Sequence, residues 1–369
     1  MPGDPYPFKG YDGPFYAWNA QFERLMWNGP MHRVYGWPKL PIERFKCVAA
    51  MARACALPGK LENSARCLNI TQQKDHRGAQ LIKLLCVPQD NGLFLHQDPA
   101  ADPAYVQGLL SELYNYCDQD VRTERGMMER LRDLTDREWA QYWLSEKIND
   151  RGVRVDVEFA RGAAKYVEEE KKFFGSRLVE LTQGEVTTPR QFARIKKWIW
   201  PRLSIVGRKM CEHYKNDEKK VSFDKAVRGN LLDAADTTTI HDERLMTDEA
   251  REFTEIIDLA GNSSVSKYRT MLNREQKGRI RGLYICFGAG QTHRYSSIAL
   301  QVHNFKRDVP QDVLDTIKAI KKGLGVENPI PKLAGALRPS IIPAAGHKAV
   351  WGDWSAIEAR ALPWLANDE

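Results

Sequence analysis

Apolar residues recur every three or four positions between 110 and 131. Leu110, Leu113, Tyr114, Cys117, Val121, Met128 and Leu131 share one stripe, which predicts a long amphipathic helix. Upstream, Phe15 to Trp18 reads as a short strand, and the rest of 15–137 as further helices. Residues 138–290 read as mostly helical and heavily charged, with runs at Glu168-Glu169-Glu170-Lys171-Lys172, Ile195-Lys196-Lys197-Trp198 and Lys277-Gly278-Arg279-Ile280-Arg281. Each run is expected to be a solvated helix face. Arg279 to Phe287 has the alternation of a strand leading into the turn Gly288-Ala289-Gly290. From 308 to 345 a Pro-containing stretch surrounds one helix, Val313 to Lys322. Lys348 to Gly352 then reads as a strand, followed by a helix with Ile357, Ala361, Trp364 and Leu365 on one stripe.

Composition narrows the class. A chain of 369 residues with 43% hydrophobic residues and ten Trp is expected to fold into about two or three globular domains. It has no internal repeat and no low-complexity tract. No apolar run approaches the ~18 residues of a membrane span, and Met1-Pro2-Gly3-Asp4-Pro5 lacks the basic and apolar regions of a signal peptide, so a soluble protein of the cytoplasm is expected. Seven scattered cysteines without a Cys-x-x-Cys pair argue against a disulfide framework or structural zinc, and for buried reduced thiols. A net charge of +7 admits a polyanionic partner, since Lys and Arg neutralise phosphates and release counterions.

The most specific segment is Gly352-Asp353-Trp354-Ser355-Ala356-Ile357-Glu358-Ala359-Arg360. An aspartate at a strand-to-helix junction is ordinarily a helix cap. Eight ordered positions outweigh that reading, because Asp353 to Arg360 resembles motif A of family A (polymerase I-like) DNA polymerases, in wording close to phage members. The resemblance implies that Asp353 is a metal ligand, that the Trp354 carbonyl is a second, and that Glu358 excludes a ribose 2′ hydroxyl. Two Mg²⁺ ions held there would activate the primer 3′ hydroxyl and neutralise the departing pyrophosphate.

Thr292-His293-Arg294-Tyr295-Ser296-Ser297, then Gln301-Val302-His303-Asn304, resemble the family's Thr-Gly-Arg-x-Ser-Ser and Leu-Gln-Asn segments, with His293 in place of Gly and His303 in place of Gln. Arg294, Gln301, His303 and Asn304 are then expected to track the primer–template minor groove, whose acceptors are nearly independent of sequence. His241-Asp242-Glu243 spells another family motif but precedes motif A instead of following it. It reads as a solvated turn.

Asn19-Ala20-Gln21-Phe22-Glu23 and Tyr116-Cys117-Asp118-Gln119-Asp120 resemble the second and third motifs of DEDD-type 3′–5′ exonucleases. The i,i+4 spacing sets Tyr116 and Asp120 on one helix face. By the resemblance, Glu23 and Asp120 hold a metal while Tyr116 orients the attacking water. No Asp-x-Glu first motif occurs in residues 1–18.

The resemblance covers about Phe15 to Glu369 and implies a mixed α/β and α fold in three parts. These are a partial RNase H-like 3′–5′ exonuclease domain (1–137), a helical thumb with the N-terminal palm region (138–345), and the start of a palm (346–369). The implied reaction is template-directed nucleotidyl transfer, with primer–template DNA, deoxynucleoside triphosphates and Mg²⁺. Without the later palm and fingers the isolated chain is expected to be inactive. The alternatives are one chain of a split polymerase needing complementing fragments, or a non-catalytic DNA-binding remnant.

Overall fold

A computed structural model describes residues 6–70, 77–237, 244–290, 292–350, 352 and 354–367. It is mixed α/β and predominantly helical. The chain folds as two compact units, one made of Met1–Gly152 with Arg281–His303, the other of Val153–Ile280 with Asn304–Glu369.

The first unit starts with β1 (Phe15–Ala17), which pairs in parallel with β2 (Phe45–Cys47). Parallel pairing requires a crossover. It is supplied by α1 (Ala20–Met26), a π-helical turn over Trp27–Met31 and α2 (His32–Tyr35), which Gly36 ends at φ 71°. From β2 the chain passes directly into α3 (Val48–Ala54), whose residues other than Arg53 are buried. Its alanines let neighbouring backbone approach closely. Then come α4 (Leu61–Cys67), α5 (Gly78–Leu85) and α6 (Pro103–Met128). Asp102 caps α6 by accepting from the Ala104 N–H, and Pro103 fills its first position, where no N–H is needed. A capping box, Thr135 with Glu138, opens α7 (Asp136–Arg151), and Gly152 closes it at φ 69°.

The first unit takes in α7 for a packing reason. Trp139 and Tyr142 of α7 share one core with Trp27, Phe45 and Met51, and that core also takes Cys286 and Phe287.

The second unit opens with β3 (Val153–Arg154) and α8 (Val157–Leu181), capped by Asp156. Next are α9 (Phe192–Ile199), α10 (Ile205–Met210), the antiparallel pair β4 (Glu212–Lys215) and β5 (Glu218–Val221), α11 (Lys225–Thr237) and α12 (Asp248–Ala260). Together with the end of α8 they enclose a contiguous core containing Leu178, Trp198, Leu231 and Phe253, with the Trp198 and Phe253 rings stacked at 4.3 Å. After α13 (Lys267–Arg274), β6 (Glu275–Gln276) and β7 (Arg279–Ile280) form a hairpin that joins β3 in the order β3-β7-β6. The antiparallel pair β8 (Tyr284–Ile285) and β9 (Ser296–Ser297) belongs to the first unit, whereas α14 (Val313–Lys321), α15 (Pro329–Gly335) and α16 (Ile357–Ala366) belong to the second.

Several expectations change. The α6 stripe runs on a different face: Val106, Leu109, Tyr116, Thr123 and Met127 are buried, whereas Tyr114 and Val121 are 66% and 61% exposed. The single strand over 279–287 is two short ones, broken where Gly282 takes φ 65°. Between 308 and 345 there is a second helix, α15, because Pro329 and Pro331 sit in its first turn, where proline is tolerated. The described residues of 348–352 form no strand, and Val350 is 93% exposed. All seven cysteines are free, but Cys67, Cys86 and Cys117 are exposed, so only Cys47, Cys211 and Cys286 are buried thiols. Two charged runs lie on helices as expected, and in one of them Ile195 and Trp198 are buried while Lys196 and Lys197 between them are exposed. The third, Lys277 to Arg281, is instead the β6/β7 turn and strand β7, with Arg279 half-buried and Ile280 buried. Among the described residues, no helix is long and apolar enough to cross a membrane.

Candidate functional site

Two half-buried carboxylates interrupt the inward stripe of α6. Val106, Leu109, Leu113, Tyr116, Asp120, Thr123 and Met127 succeed one another at helical spacing, and Glu124 adjoins Asp120 and Thr123 on the same side. Placing carboxylates on an apolar face is unfavourable unless the charge is solvated, paired or neutralised. Here burial pushes the Glu124 carboxyl up to about 7, and the charges of Glu23 and Asp120 push in the same direction, while a hydrogen bond from the Trp18 backbone N–H opposes them. Trp18 lies just past β1, so the end of that strand meets the C-terminal part of α6. On α1, Glu23 is also raised, by burial around its carboxyl, although part of the residue reaches solvent.

Glu23 and Asp120 each lie near enough to Glu124 for their charges to raise it, and Glu124 is a carboxylate that the motif reading missed. Its signal was its position, one helical turn beyond Asp120 and two beyond Tyr116. Among the described residues, however, no three His, Cys, Asp or Glu side chains converge closely enough to hold a metal ion. Glu124 senses the charges of Glu23 and Asp120, but the described residues form no cage there, and no metal-dependent step is derived from them.

Tyr116 faces elsewhere. It is 7% exposed and packs with Leu81, Leu85 and Leu109 between α5 and α6. Gly78 lies against its ring so closely that a Cβ there would come within 2.2 Å of it. In this position the phenol acts as core.

Arg24, next to Glu23, points to α7. It is 6% exposed and binds both oxygens of Asp150 at 2.8 Å and Glu146 at 3.0 Å. Burial disfavours its charge, but the two carboxylates outweigh this and hold its pKa above the ordinary arginine value. Burial raises Glu146, and Arg24 opposes the rise. Asn149 of α7 works as a strand edge, because its side chain donates to the Tyr284 carbonyl at 2.8 Å and accepts from the Tyr284 N–H at 2.9 Å.

That bond fixes the β8/β9 hairpin, which carries the Arg294 segment. Gly288 is required in its turn: a Cβ there would strike the Ser296 hydroxyl oxygen at 2.0 Å. His293, at the position where the resembled motif has Gly, adopts φ 52°, the left-handed region. Arg294 is exposed, and its carbonyl accepts from the Ala289 N–H at 3.0 Å. Gln301 is exposed at φ 48°, and the exposed His303 ring meets Tyr284 edge-on at 5.9 Å. Asn304, exposed, ends the short 3₁₀ turn Val302–Asn304.

Asp353 lies outside the described residues, as do His241, Asp242 and Glu243, expected from the sequence to form a solvated turn. Trp354 is 71% exposed and Glu358 stands exposed in the first turn of α16. No residue of α16 is buried, and the expected inward stripe leaves Ile357, Trp364 and Leu365 at 49%, 78% and 72% exposure.

No protein-family model matches the chain. Among curated proteins it is similar to one named DNA polymerase from Bacillus phage SP02, with 28% identity over an alignment of 373 residues that covers 96% of this chain and 51% of the relative. The chain therefore spans about half the length of the curated relative it matches.

Proposed function

We propose that this chain is part of a phage-type, family A DNA polymerase that binds primer–template DNA and contributes to template-directed nucleotidyl transfer. The observation that carries the proposal is the similarity to a phage DNA polymerase along 96% of the chain. The motif order supports it: Glu23, Tyr116 and Asp120, then Arg294 to Asn304, then Asp353 to Arg360. On this reading the first unit derives from a 3′–5′ exonuclease domain, the helical second unit is the thumb, and residues from 346 begin the palm.

Arg294, on an exposed hairpin anchored by Asn149, is offered to the duplex minor groove together with Gln301, His303 and Asn304. Glu358 discriminates against the ribose 2′ hydroxyl. Mg²⁺ enters the proposal through Asp353 and the Trp354 carbonyl alone. The carboxylates around α6 do not converge as a metal cage, so no exonuclease step is assigned to them.

The apolar side chains exposed on α16 favour a second reading, in which a complementing polypeptide covers that helix. Primer extension with deoxynucleoside triphosphates and Mg²⁺ tests both readings. It is run on the chain alone and on the chain mixed with a polypeptide covering the rest of the relative's length. The expected result is extension in the mixture that Asp353→Asn abolishes while primer–template binding persists. Synthesis untouched by Asp353→Asn would refute the assignment.

A further inference from the structure

The second unit contains a cavity of about 580 Å³ between α8, the 188–192 segment and the end of α12, a volume within the ~300–1,000 Å³ usual for small-molecule sites. Its lining combines two chemistries. Phe174, Pro189 and Phe192 supply apolar and aromatic surface, and Phe192 is 67% exposed. Lys171, Arg190 and Arg228 supply cations, with the hydroxyls of Thr188, Ser263 and Ser266, and no Asp or Glu is among the described lining residues.

The cations are available to a ligand. Neither Lys171 nor Arg190 has an ion-pair partner among the described residues. Arg228 is only 9% exposed and donates to the Phe223 carbonyl at 2.9 Å and to Asp258 at 3.1 Å, yet its buried Nε–H has no acceptor. A buried donor without an acceptor is costly, and an anion in the cavity is one way to satisfy it. A more open groove of about 800 Å³ shares Lys171 and Ser266 and continues along α8 and α13 past Lys165, Lys172, Arg269 and one acid, Glu168, which pairs with Arg269 at 4.0 Å. Cations thus outnumber the acid along a groove longer than a single ligand.

We propose that this cavity binds a nucleoside phosphate, its ring against Phe192 and Phe174 and its phosphate on Lys171, Arg190 and Arg228. Aromatic faces accept any base by stacking, and cations beside them track the backbone, which is the pairing of features used to hold single-stranded nucleic acid. The ligand's source is either a free nucleotide or one residue of a single strand continuing along the groove. The inference is independent of the polymerase reading, since it uses neither Asp353 nor the β8/β9 hairpin.

The test uses the full chain in fluorescence-anisotropy competition, with a labelled twelve-residue oligo(dT) as probe and dAMP or inorganic phosphate as competitor. Gly175→Met is the informative variant. Gly175 lines the cavity, a Cβ there meets nothing within 4 Å, and replacing a glycine inside α8 favours the helix, so the variant fills the site without threatening the fold. Gly175→Met and Arg190→Ala are each expected to weaken binding about tenfold or more, the scale of one lost charge-assisted phosphate contact. Competition by dAMP assigns a free nucleotide, and binding of the oligonucleotide without such competition assigns the strand. The proposal is overturned if neither dAMP nor the oligonucleotide binds, if both variants bind within about twofold of the parent, or if inorganic phosphate competes as well as dAMP.

Discussion

Replacing Glu124 by Gln removes one proton-binding group from the inward face of α6 and leaves its shape and its acceptor oxygen for the Trp18 N–H. The carboxyl is held up at about 7 from an ordinary 4.5 by burial and by the neighbouring charges of Glu23 and Asp120. Folding therefore raises its proton affinity. Between about pH 4.5 and 7 the folded chain keeps a proton that the unfolded chain has lost, so this group makes stability fall as pH rises through that window. A shift of that size corresponds to about 3 kcal/mol, reduced to about 2 kcal/mol because solvent reaches the half-buried cluster and screens its charges. Urea unfolding followed by tryptophan fluorescence at pH 5, 6, 7 and 8 reads this directly. The variant is expected to match the parent near pH 5, to exceed it by about 2 kcal/mol at pH 8, and to show a shallower pH dependence. Parallel pH profiles for the two proteins would refute the assignment of the shift to Glu124.

Arg24→Met leaves Glu146 buried without its cation and should cost about 3–5 kcal/mol at neutral pH, read as a lower urea midpoint; the loss should shrink at acid pH as Glu146 takes up a proton. Gly78→Ala forces the Tyr116 ring to move and should cost about 1–3 kcal/mol, seen in thermal unfolding by circular dichroism. With no metal cage among the described residues around α6, the chain should release no nucleotides from labelled single-stranded DNA in Mg²⁺, and Asp120→Ala should leave that blank unchanged. Arg294→Ala should weaken primer–template binding by about 1–3 kcal/mol, measured by anisotropy across a salt titration.

The helix at α6 was legible from periodicity, and so was the strand at Phe15. The helix face was not. Tyr114, Cys117 and Val121 look like a core stripe, but the inward side carries Asp120, Thr123 and Glu124, and acids at those positions obscure the period that pattern reading relies on. Glu23 and Asp120 were singled out by motif order, whereas Glu124 had only its helical spacing from Asp120 and Tyr116 as a signal, and its burial shows once the Trp18 backbone meets α6. Likewise Arg24 reads as a surface cation until α7 places Glu146 and Asp150 beside it. His293 stands where the resembled motif has Gly, and the backbone there adopts the left-handed conformation, which histidine tolerates better than a β-branched residue would.

The first unit's core includes Cys286 and Phe287, which the ribosome makes only after the whole of Val153–Ile280. At roughly 5–20 residues per second the aromatic cluster around Trp27 and Trp139 waits on the order of 10 s for its last members. Throughout that interval the α1–α7 segment is translated but unfinished, with a hydrophobic face open to other chains. Within the intervening segment, the cluster from Leu178 to Ile257 is already complete in sequence and can settle first. Cutting the gene at Gly152 would therefore make that wait permanent, and the amino-terminal piece should be the aggregating half.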